Sequence, residues 1–149
     1  MKLEINTNND HETMLVAEKF AQTINPPLVI SLVGDLGAGK TTFTKGFAKG
    51  FGIEENITSP TFAILNEYNS KRGELFHFDL YRLHDLEEAY AMGFEEYFDL
   101  TKLRGVVLVE WAENAKGILP MRHVEVKIDK LNENQRKITL DAKGEVAKK

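Results

Sequence analysis

A chain of 149 residues, 42% of them hydrophobic, is long enough to form one domain with its own core. It contains no cysteine, which excludes disulfides and thiolate metal sites. Its 19 basic and 23 acidic residues give a net charge of −4, and the scattered basic residues argue against a broad nucleic-acid-binding face. The N-terminus has no apolar signal segment, and no apolar run is long enough to span a membrane, so we expect a soluble cytoplasmic protein.

The first predicted elements are a short strand and a helix. Residues 2–5 alternate in polarity as a strand does, and Asn9 or Asp10 can cap the helix that follows. The helix is predicted to end before Pro26, and its apolar stripe consists of Val16, Ala17, Phe20, Ala21 and Ile24. Because this helix directly precedes the next strand, we predict Thr13 as a contact for a nucleotide base. A surface threonine is the alternative interpretation.

The pattern G-x-x-x-x-G-K-[ST] occurs without substitution in the following segment, between an apolar run at 28–33 and an amphipathic helix. Such a loop surrounds phosphates with backbone N–H groups, while Lys40 reaches the phosphates and Thr41 binds Mg²⁺. The alternative is a glycine-rich turn whose lysine is only solvated. The residues predicted to contact the nucleotide are Asp35, Gly37, Ala38, Gly39, Lys40, Thr41 and Thr42.

The segment after the loop helix contains three hydroxyl residues around a proline, at Thr58, Ser59, Pro60 and Thr61. Proline cannot continue a helix, so an ordered loop is expected here. In P-loop proteins a switch that senses the γ-phosphate can occupy this place, and we predict Ser59, Pro60 and Thr61 as switch residues. An ordinary turn is the alternative.

Residues 62–68 and 74–80 are predicted to form an antiparallel hairpin, with Asp79 near its end. An acidic residue that follows an apolar strand downstream of a P-loop is typical of a Walker-B-type Mg²⁺ partner. An aspartate that begins a turn is the alternative. We interpret His77, within the same strand, as a hydrogen-bonded structural histidine rather than a base.

A capping-box pattern at Asp85 and Glu88 predicts a short helix that ends at Gly93. Another helical turn is expected around residues 94–98, where Glu95 and Glu96 are interpreted as solvated side chains.

The second continuous apolar run, residues 106–109, ends in Glu110 and Trp111. Such a run predicts a strand buried on both faces, close to the loop strand. Ligands of open α/β sheets bind beyond the carboxyl ends of the strands, so Glu110 is predicted to bind Mg²⁺ or to orient the attacking water. Trp111 either packs beside the site or fills the core, and core packing is the preferred interpretation.

Two alternating segments, at 124–128 and 138–141, predict a C-terminal β-hairpin with one solvated face. The predicted fold class is therefore α/β: a single P-loop NTPase domain with a mixed parallel and antiparallel sheet flanked by helices. The domain is predicted to comprise residues 1–142, and the Lys-rich residues 143–149 are predicted to be a disordered tail.

Four segments, in this order and at this spacing, resemble the TsaE family, also called YjeE, of small bacterial P-loop ATPases. They are residues 34–42, Ser59-Pro60-Thr61-Phe62, His77-Phe78-Asp79-Leu80-Tyr81-Arg82-Leu83 and Val109-Glu110-Trp111. The resemblance covers nearly the whole chain. The loop at residues 34–42 alone is generic, but the last two segments, at residues 77–83 and 109–111, are together highly specific for the family.

The resemblance implies a role in making N6-threonylcarbamoyladenosine (t6A) at position 37 of tRNA, together with the proteins TsaD and TsaB. ATP hydrolysis, weak alone and stimulated by those partners, would reset the complex, and direct tRNA contact is expected only within it. Carried over by position, Lys40 and the loop amides hold the phosphates, and Thr41 and Glu110 bind Mg²⁺. Asp79 takes the Walker-B-like position.

Three other functions are the alternatives to this interpretation. A small-molecule kinase needs an arginine-bearing lid, yet no arginine lies between Leu83 and Leu103. A GTPase needs a guanine-reading Asn-Lys-x-Asp and an Asp-x-x-Gly switch, and the sequence lacks both. The third is a nucleotide-gated interaction module in which hydrolysis is incidental.

Overall fold

The structure is a computed structural model that describes residues 2–35, 37–57 and 64–144. Its α-helices are α1 (Asp10–Thr23), α2 (Lys40–Gly50) and α3 (Leu86–Ala91), and two 3-10 helices lie at Phe94–Phe98 and Ala112–Ala115. Its strands are β1 (Lys2–Thr7), β2 (Leu28–Val33), β3 (Leu65–Ser70), β4 (Gly73–Asp79), β5 (Gly105–Glu110), β6 (His123–Lys130) and β7 (Arg136–Lys143). None of the helices in these ranges has the length and apolar character needed to cross a membrane.

Within the described residues, seven strands form one sheet in the order β1-β7-β6-β2-β5-β4-β3. The centre is parallel, since β2 pairs with β5 and β6, and β5 also pairs with β4. The edges are antiparallel: β3 pairs with β4, β6 with β7, and β1 with β7. The predicted mixed sheet and C-terminal hairpin are therefore confirmed. The carboxyl ends of β2, β4 and β5 meet at one edge of the sheet, where ligands of such folds bind.

The two central strands are apolar along their length because both sheet faces are covered. Every residue of β5 is buried, as are the four inner residues of β2. One face packs against α1 and α2, through residues such as Ala17, Ala21, Phe43 and Phe47. The other packs against α3 and the 3-10 helices, where the ring of Phe78 contacts those of Phe94, Tyr97 and Phe98.

The predicted helix caps are confirmed. The Asn9 side chain accepts a hydrogen bond from the Glu12 N–H at 2.8 Å. Asp85 accepts one from the Glu88 N–H at 3.0 Å, as in a capping box, whereas the Glu88 carboxylate accepts one from the N–H of His84, the residue before the N-cap. These contacts fix where α1 and α3 begin.

Two predictions fall largely outside the described residues. The switch residues Ser59, Pro60 and Thr61 lie in the range 58–63, and residues 145–149 of the predicted tail also lie outside the described ranges. Lys143, the first residue of the predicted tail, is the last residue of β7. The predicted 62–68 strand is described from Leu65 onward.

Candidate nucleotide-binding site

The phosphate-binding motif lies between the carboxyl end of β2 and the start of α2. Gly39 is the N-cap of α2 and has φ 112°, a left-handed conformation that glycine adopts without steric cost. Lys40 is the first residue of the helix. The backbone N–H groups of the first helical turn lack intrahelical partners, so this end of α2 is suited to bind an anion.

Lys40 lies where it can reach a bound phosphate. Its side chain is buried, and its Nζ lies 3.9 Å from Oε1 of Glu110. The same Nζ lies 5.1 Å from the centroid of the Trp111 ring. Lys40 is therefore held between a carboxylate and an aromatic face at the rim of the loop.

Two carboxylates end adjacent parallel strands beside Lys40. Asp79 is the last residue of β4, Glu110 is the last of β5, and the two are register partners. Burial raises the pKa of Asp79. The hydrogen bond that its Oδ1 accepts from the Tyr81 N–H lowers the pKa, and the negative charge of Glu110 raises it. The net effect is a raised pKa, because the loss of hydration on burial outweighs the lowering effects of the Tyr81 N–H and of the positive charge of Lys40.

The donor set fits Mg²⁺. Among the described residues, no three His, Cys, Asp or Glu side chains are grouped to hold a metal on their own. In nucleotide sites Mg²⁺ usually takes one or two carboxylates together with phosphate oxygens and waters. Thr41, Asp79 and Glu110 offer oxygen ligands of this kind on one cavity.

A cavity of about 550 Å³ brings together most of the predicted site residues. The predicted residues that line it are Gly37, Gly39, Lys40, Thr41, Thr42, Asp79 and Glu110. Asp35 instead lines a neighbouring cavity of about 720 Å³, which shares Lys40 and Trp111 with the first. Ala38 is buried beneath the loop, and its N–H donates to the Asp35 carbonyl at 3.0 Å.

Thr13 is not a surface residue, so that interpretation is wrong. It is 1% exposed, and its hydroxyl hydrogen-bonds to the Thr7 hydroxyl at 2.8 Å, which ties α1 to the end of β1. The residue of α1 that lines the cavity is Asp10, in the first turn. A contact between Thr13 and a nucleotide base stays a prediction.

Trp111 is not simply a core residue, so the preferred interpretation needs correction. It is only partly buried, packs against the cluster beneath α3, and also lines both cavities. Its φ of 62° is left-handed, which is uncommon for a bulky residue and is typical of functional sites. This backbone turn at the end of β5 places the indole over Lys40.

Arg136, the first residue of β7, was not predicted as a site residue. It is buried and lines the cavity, and its Nε donates to the Ala38 carbonyl at 2.8 Å. Its Nη2 donates to the Gly37 carbonyl at 3.3 Å, and its Nη1 donates to carbonyls of the β6–β7 turn. The guanidinium thus anchors the phosphate loop to the C-terminal hairpin. A sequence signal exists, since Arg136 shares the inward register of Ile138.

His77 is a buried, hydrogen-bonded histidine, in agreement with its interpretation. Its partner, however, is a site residue: Nε2 lies 2.8 Å from Oε2 of Glu110. Strand β4 therefore supplies two side chains to the site: Asp79 lines the cavity, and His77 contacts Glu110 from behind.

The parallel sheet centre, the glycine loop that enters α2, and the carboxylates at the ends of β4 and β5 define a P-loop nucleotide-binding domain. A crystal structure of YdiB from Bacillus subtilis superimposes with a TM-score of 0.82 at 40% identity, and the alignment covers 97% of this chain and 87% of that one. The fold and the order of its elements are thus shared with a solved protein.

The family described as Threonylcarbamoyl adenosine biosynthesis protein TsaE matches residues 7–138. The tRNA threonylcarbamoyladenosine biosynthesis protein TsaE of Bacillus subtilis (strain 168) is 43% identical over 143 residues, 96% of this chain and 87% of the relative. The protein of the same name from Aquifex aeolicus (strain VF5) is 35% identical over 139 residues, 92% of this chain and 94% of the relative. The chain belongs to the TsaE family.

Proposed function

We propose that this protein binds and slowly hydrolyses ATP with Mg²⁺ in the cytoplasm, in support of t6A formation on tRNA and in complex with TsaD and TsaB. The family and its relatives carry the name of threonylcarbamoyladenosine biosynthesis proteins, which supports the pathway. The observation that carries the activity is the convergence of Lys40, Asp79 and Glu110 on one cavity at the start of α2.

The proposed roles follow from placement. Lys40 neutralises charge that develops on the phosphates, because its ammonium lies at the loop and inside the cavity. Mg²⁺, when bound, adds further positive charge to the phosphate oxygens. Thr41 and Glu110 hold the ion, and Asp79 or Glu110 orients the attacking water. Gly37, Gly39 and Thr42 contribute loop and helix backbone to phosphate binding.

The second cavity favours one alternative, a small-molecule kinase. It has about 720 Å³ of space next to Lys40 and Trp111, where a phosphoryl acceptor other than water could lie. The two functions are distinguished by the product, since a kinase transfers the γ-phosphate to an acceptor and an ATPase releases it.

The test is ATP turnover with Mg²⁺, measured for the protein alone and with purified TsaD and TsaB. We expect slow phosphate release that the partners increase. Lys40→Ala and Glu110→Ala should lower the rate by about 10²–10³ fold, the usual effect of removing one electrostatic contact to the transition state. Lys45→Ala, which changes an exposed lysine of the same helix, is the matched control and should retain the wild-type rate.

Wild-type turnover in Lys40→Ala would refute the site. If TsaD and TsaB change nothing, the ATPase assignment stands without the partner role, and an acceptor screen then tests the kinase. Competition by ADP but not GDP for bound ATP would support adenine preference and exclude the GTPase.

A further inference from the structure

Among the described residues, the side chain of His77 makes one polar contact, and that contact is with the proposed metal ligand Glu110. His77 is 1% exposed in the middle of β4, and its Nε2 lies 2.8 Å from Oε2 of Glu110. Its other ring nitrogen, Nδ1, is buried and has no hydrogen-bond partner within the part of the chain that the structure describes. Buried polar atoms are normally paired, so an unpaired one calls for an explanation.

The hydrogen bond fixes the direction of donation. A carboxylate oxygen accepts, so Nε2 of His77 carries the hydrogen and donates it to Oε2. A histidine kept only for packing could be replaced by an apolar side chain that leaves no unpaired nitrogen. The ring is therefore placed to hold Glu110, and the unpaired Nδ1 is the cost of that placement.

The same bond determines which oxygen of Glu110 is free. Oε2 is occupied by His77, whereas Oε1 faces Lys40 at 3.9 Å, beyond hydrogen-bond distance. Without the donor on Oε2, the carboxylate can rotate and close a direct ion pair with Lys40. Such a pair would withdraw Glu110 from a metal and Lys40 from the phosphates at once.

We propose that His77 is a positioning residue that holds the Glu110 carboxylate in its metal-binding orientation and apart from Lys40. The inference rests on the proposed function, because it assigns His77 a role toward the Mg²⁺ that Glu110 would bind. Groups behind a metal ligand commonly orient it in this way, and their loss typically lowers metal affinity about 10–100-fold.

The test uses two amides that differ in the position of the donor. In His77→Gln the amide nitrogen falls near the place of Nε2, whereas in His77→Asn it falls near the place of Nδ1. Binding of ADP is measured by calorimetry in EDTA and in MgCl₂, and Mn²⁺ binding to the ADP-bound protein is measured by electron paramagnetic resonance. These readouts do not require turnover.

Wild type and His77→Gln should bind Mn²⁺ alike, and Mg²⁺ should tighten their ADP binding by the same factor. In His77→Asn and His77→Leu we expect Mn²⁺ affinity to fall about 10–100-fold, with ADP affinity in EDTA at most a few-fold weaker. In a Glu110→Ala background, His77→Asn should cause no further loss of Mn²⁺ affinity, since it acts through Glu110.

Three results would overturn the inference and leave the proposed function intact: wild-type Mn²⁺ affinity in His77→Asn, equal losses in the Gln and Asn variants, or loss of ADP binding in EDTA together with a lowered melting temperature. If wild type itself shows no effect of Mg²⁺ on ADP binding, the proposed function fails first.

Discussion

The ammonium of Lys40 lies 5.1 Å from the centroid of the Trp111 ring, and both residues line both cavities at the end of the sheet. Trp111 is the single tryptophan of the chain. A phosphate that attracts Lys40 must change the charge next to the indole, because the cation contacts the ring face.

We therefore expect ADP to change the fluorescence of the native protein in a saturable manner. Lys40→Ala should alter the emission without nucleotide and remove the saturable response, whereas Lys45→Ala should leave both as in wild type. The measurement is an emission titration, with ADP binding checked by calorimetry. An unchanged spectrum at saturating ADP would show that Lys40 stays on the ring when the nucleotide binds.

The carboxylate of Asp79 is predicted to lower stability at neutral pH. Burial, together with the charge of Glu110, raises its pKa, so the folded protein holds this proton more tightly than the unfolded chain does. Stability then falls as pH rises from the ordinary aspartate value through the raised value. Asp79→Asn cannot ionise and keeps the oxygen that accepts the Tyr81 N–H.

In metal-free, nucleotide-free buffer, Asp79→Asn should melt at a higher temperature than wild type at pH 7.5, and the difference should shrink toward about pH 4. Asp99→Asn is the control of opposite sign. Hydrogen bonds from Thr101 lower the pKa of Asp99. Loss of the Asp99 carboxylate should therefore destabilise the protein at pH 7.5, and the destabilisation should become smaller as the pH falls. Equal melting curves of wild type and Asp79→Asn at pH 7.5 would contradict the prediction.

Arg136 is predicted to stabilise both the fold and the nucleotide site. It donates to the buried Ala38 carbonyl and to the more exposed Gly37 carbonyl of the phosphate loop. Within the described residues it forms no ion pair with a carboxylate. Arg136→Met leaves the buried Ala38 carbonyl without this donor, which costs about 1–3 kcal/mol. The variant should also bind ADP more weakly, because the loop loses its anchor.

Urea unfolding and ADP calorimetry measure the two effects. Arg136→Lys should recover only part of either, since an ammonium cannot reproduce the forked donors of a guanidinium. Arg122→Met, which changes an exposed arginine before β6, is the matched control. If Arg136→Met binds ADP as wild type does, the loop keeps its shape without the anchor.

The parts of the fold that were predicted from sequence are those whose signal is local. The apolar runs of β2 and β5 and the capping residues Asn9 and Asp85 each act within a few positions of the chain. The phosphate loop, Asp79 and Glu110, which were singled out from the sequence, line one cavity, because the carboxyl ends of parallel strands meet at one edge.

The parts that were missed depend on contacts between distant segments. Arg136 bonds to a carbonyl 98 positions earlier in the chain, and only its inward register pointed to a buried role. The burial of Thr13 depends on Thr7, which lies on another element. The position of Trp111 follows from a left-handed backbone that its residue type argues against.

The contact between α1 and α2 is predicted to require glycine at position 46. A Cβ built on Gly46 would lie 2.3 Å from the Met14 carbonyl oxygen and 2.8 Å from its Cα, so the obstacle is the backbone of α1. Alanine would favour an isolated helix by about 1 kcal/mol. That gain is smaller than the cost of forcing two helices apart, typically about 1–3 kcal/mol and more where no side chain can move aside.

We expect Gly46→Ala to lower the free energy of unfolding measured in urea. The variant should also bind ADP more weakly, because a displaced α1 moves Asp10 away from the cavity that it lines together with Lys40 of α2. Lys45→Ala places the same methyl group on the exposed side of α2 and should stay within about 0.5 kcal/mol of wild type. Should Gly46→Ala prove as stable as Lys45→Ala, the two helices must be able to separate without loss, and their contact would not determine where Asp10 lies.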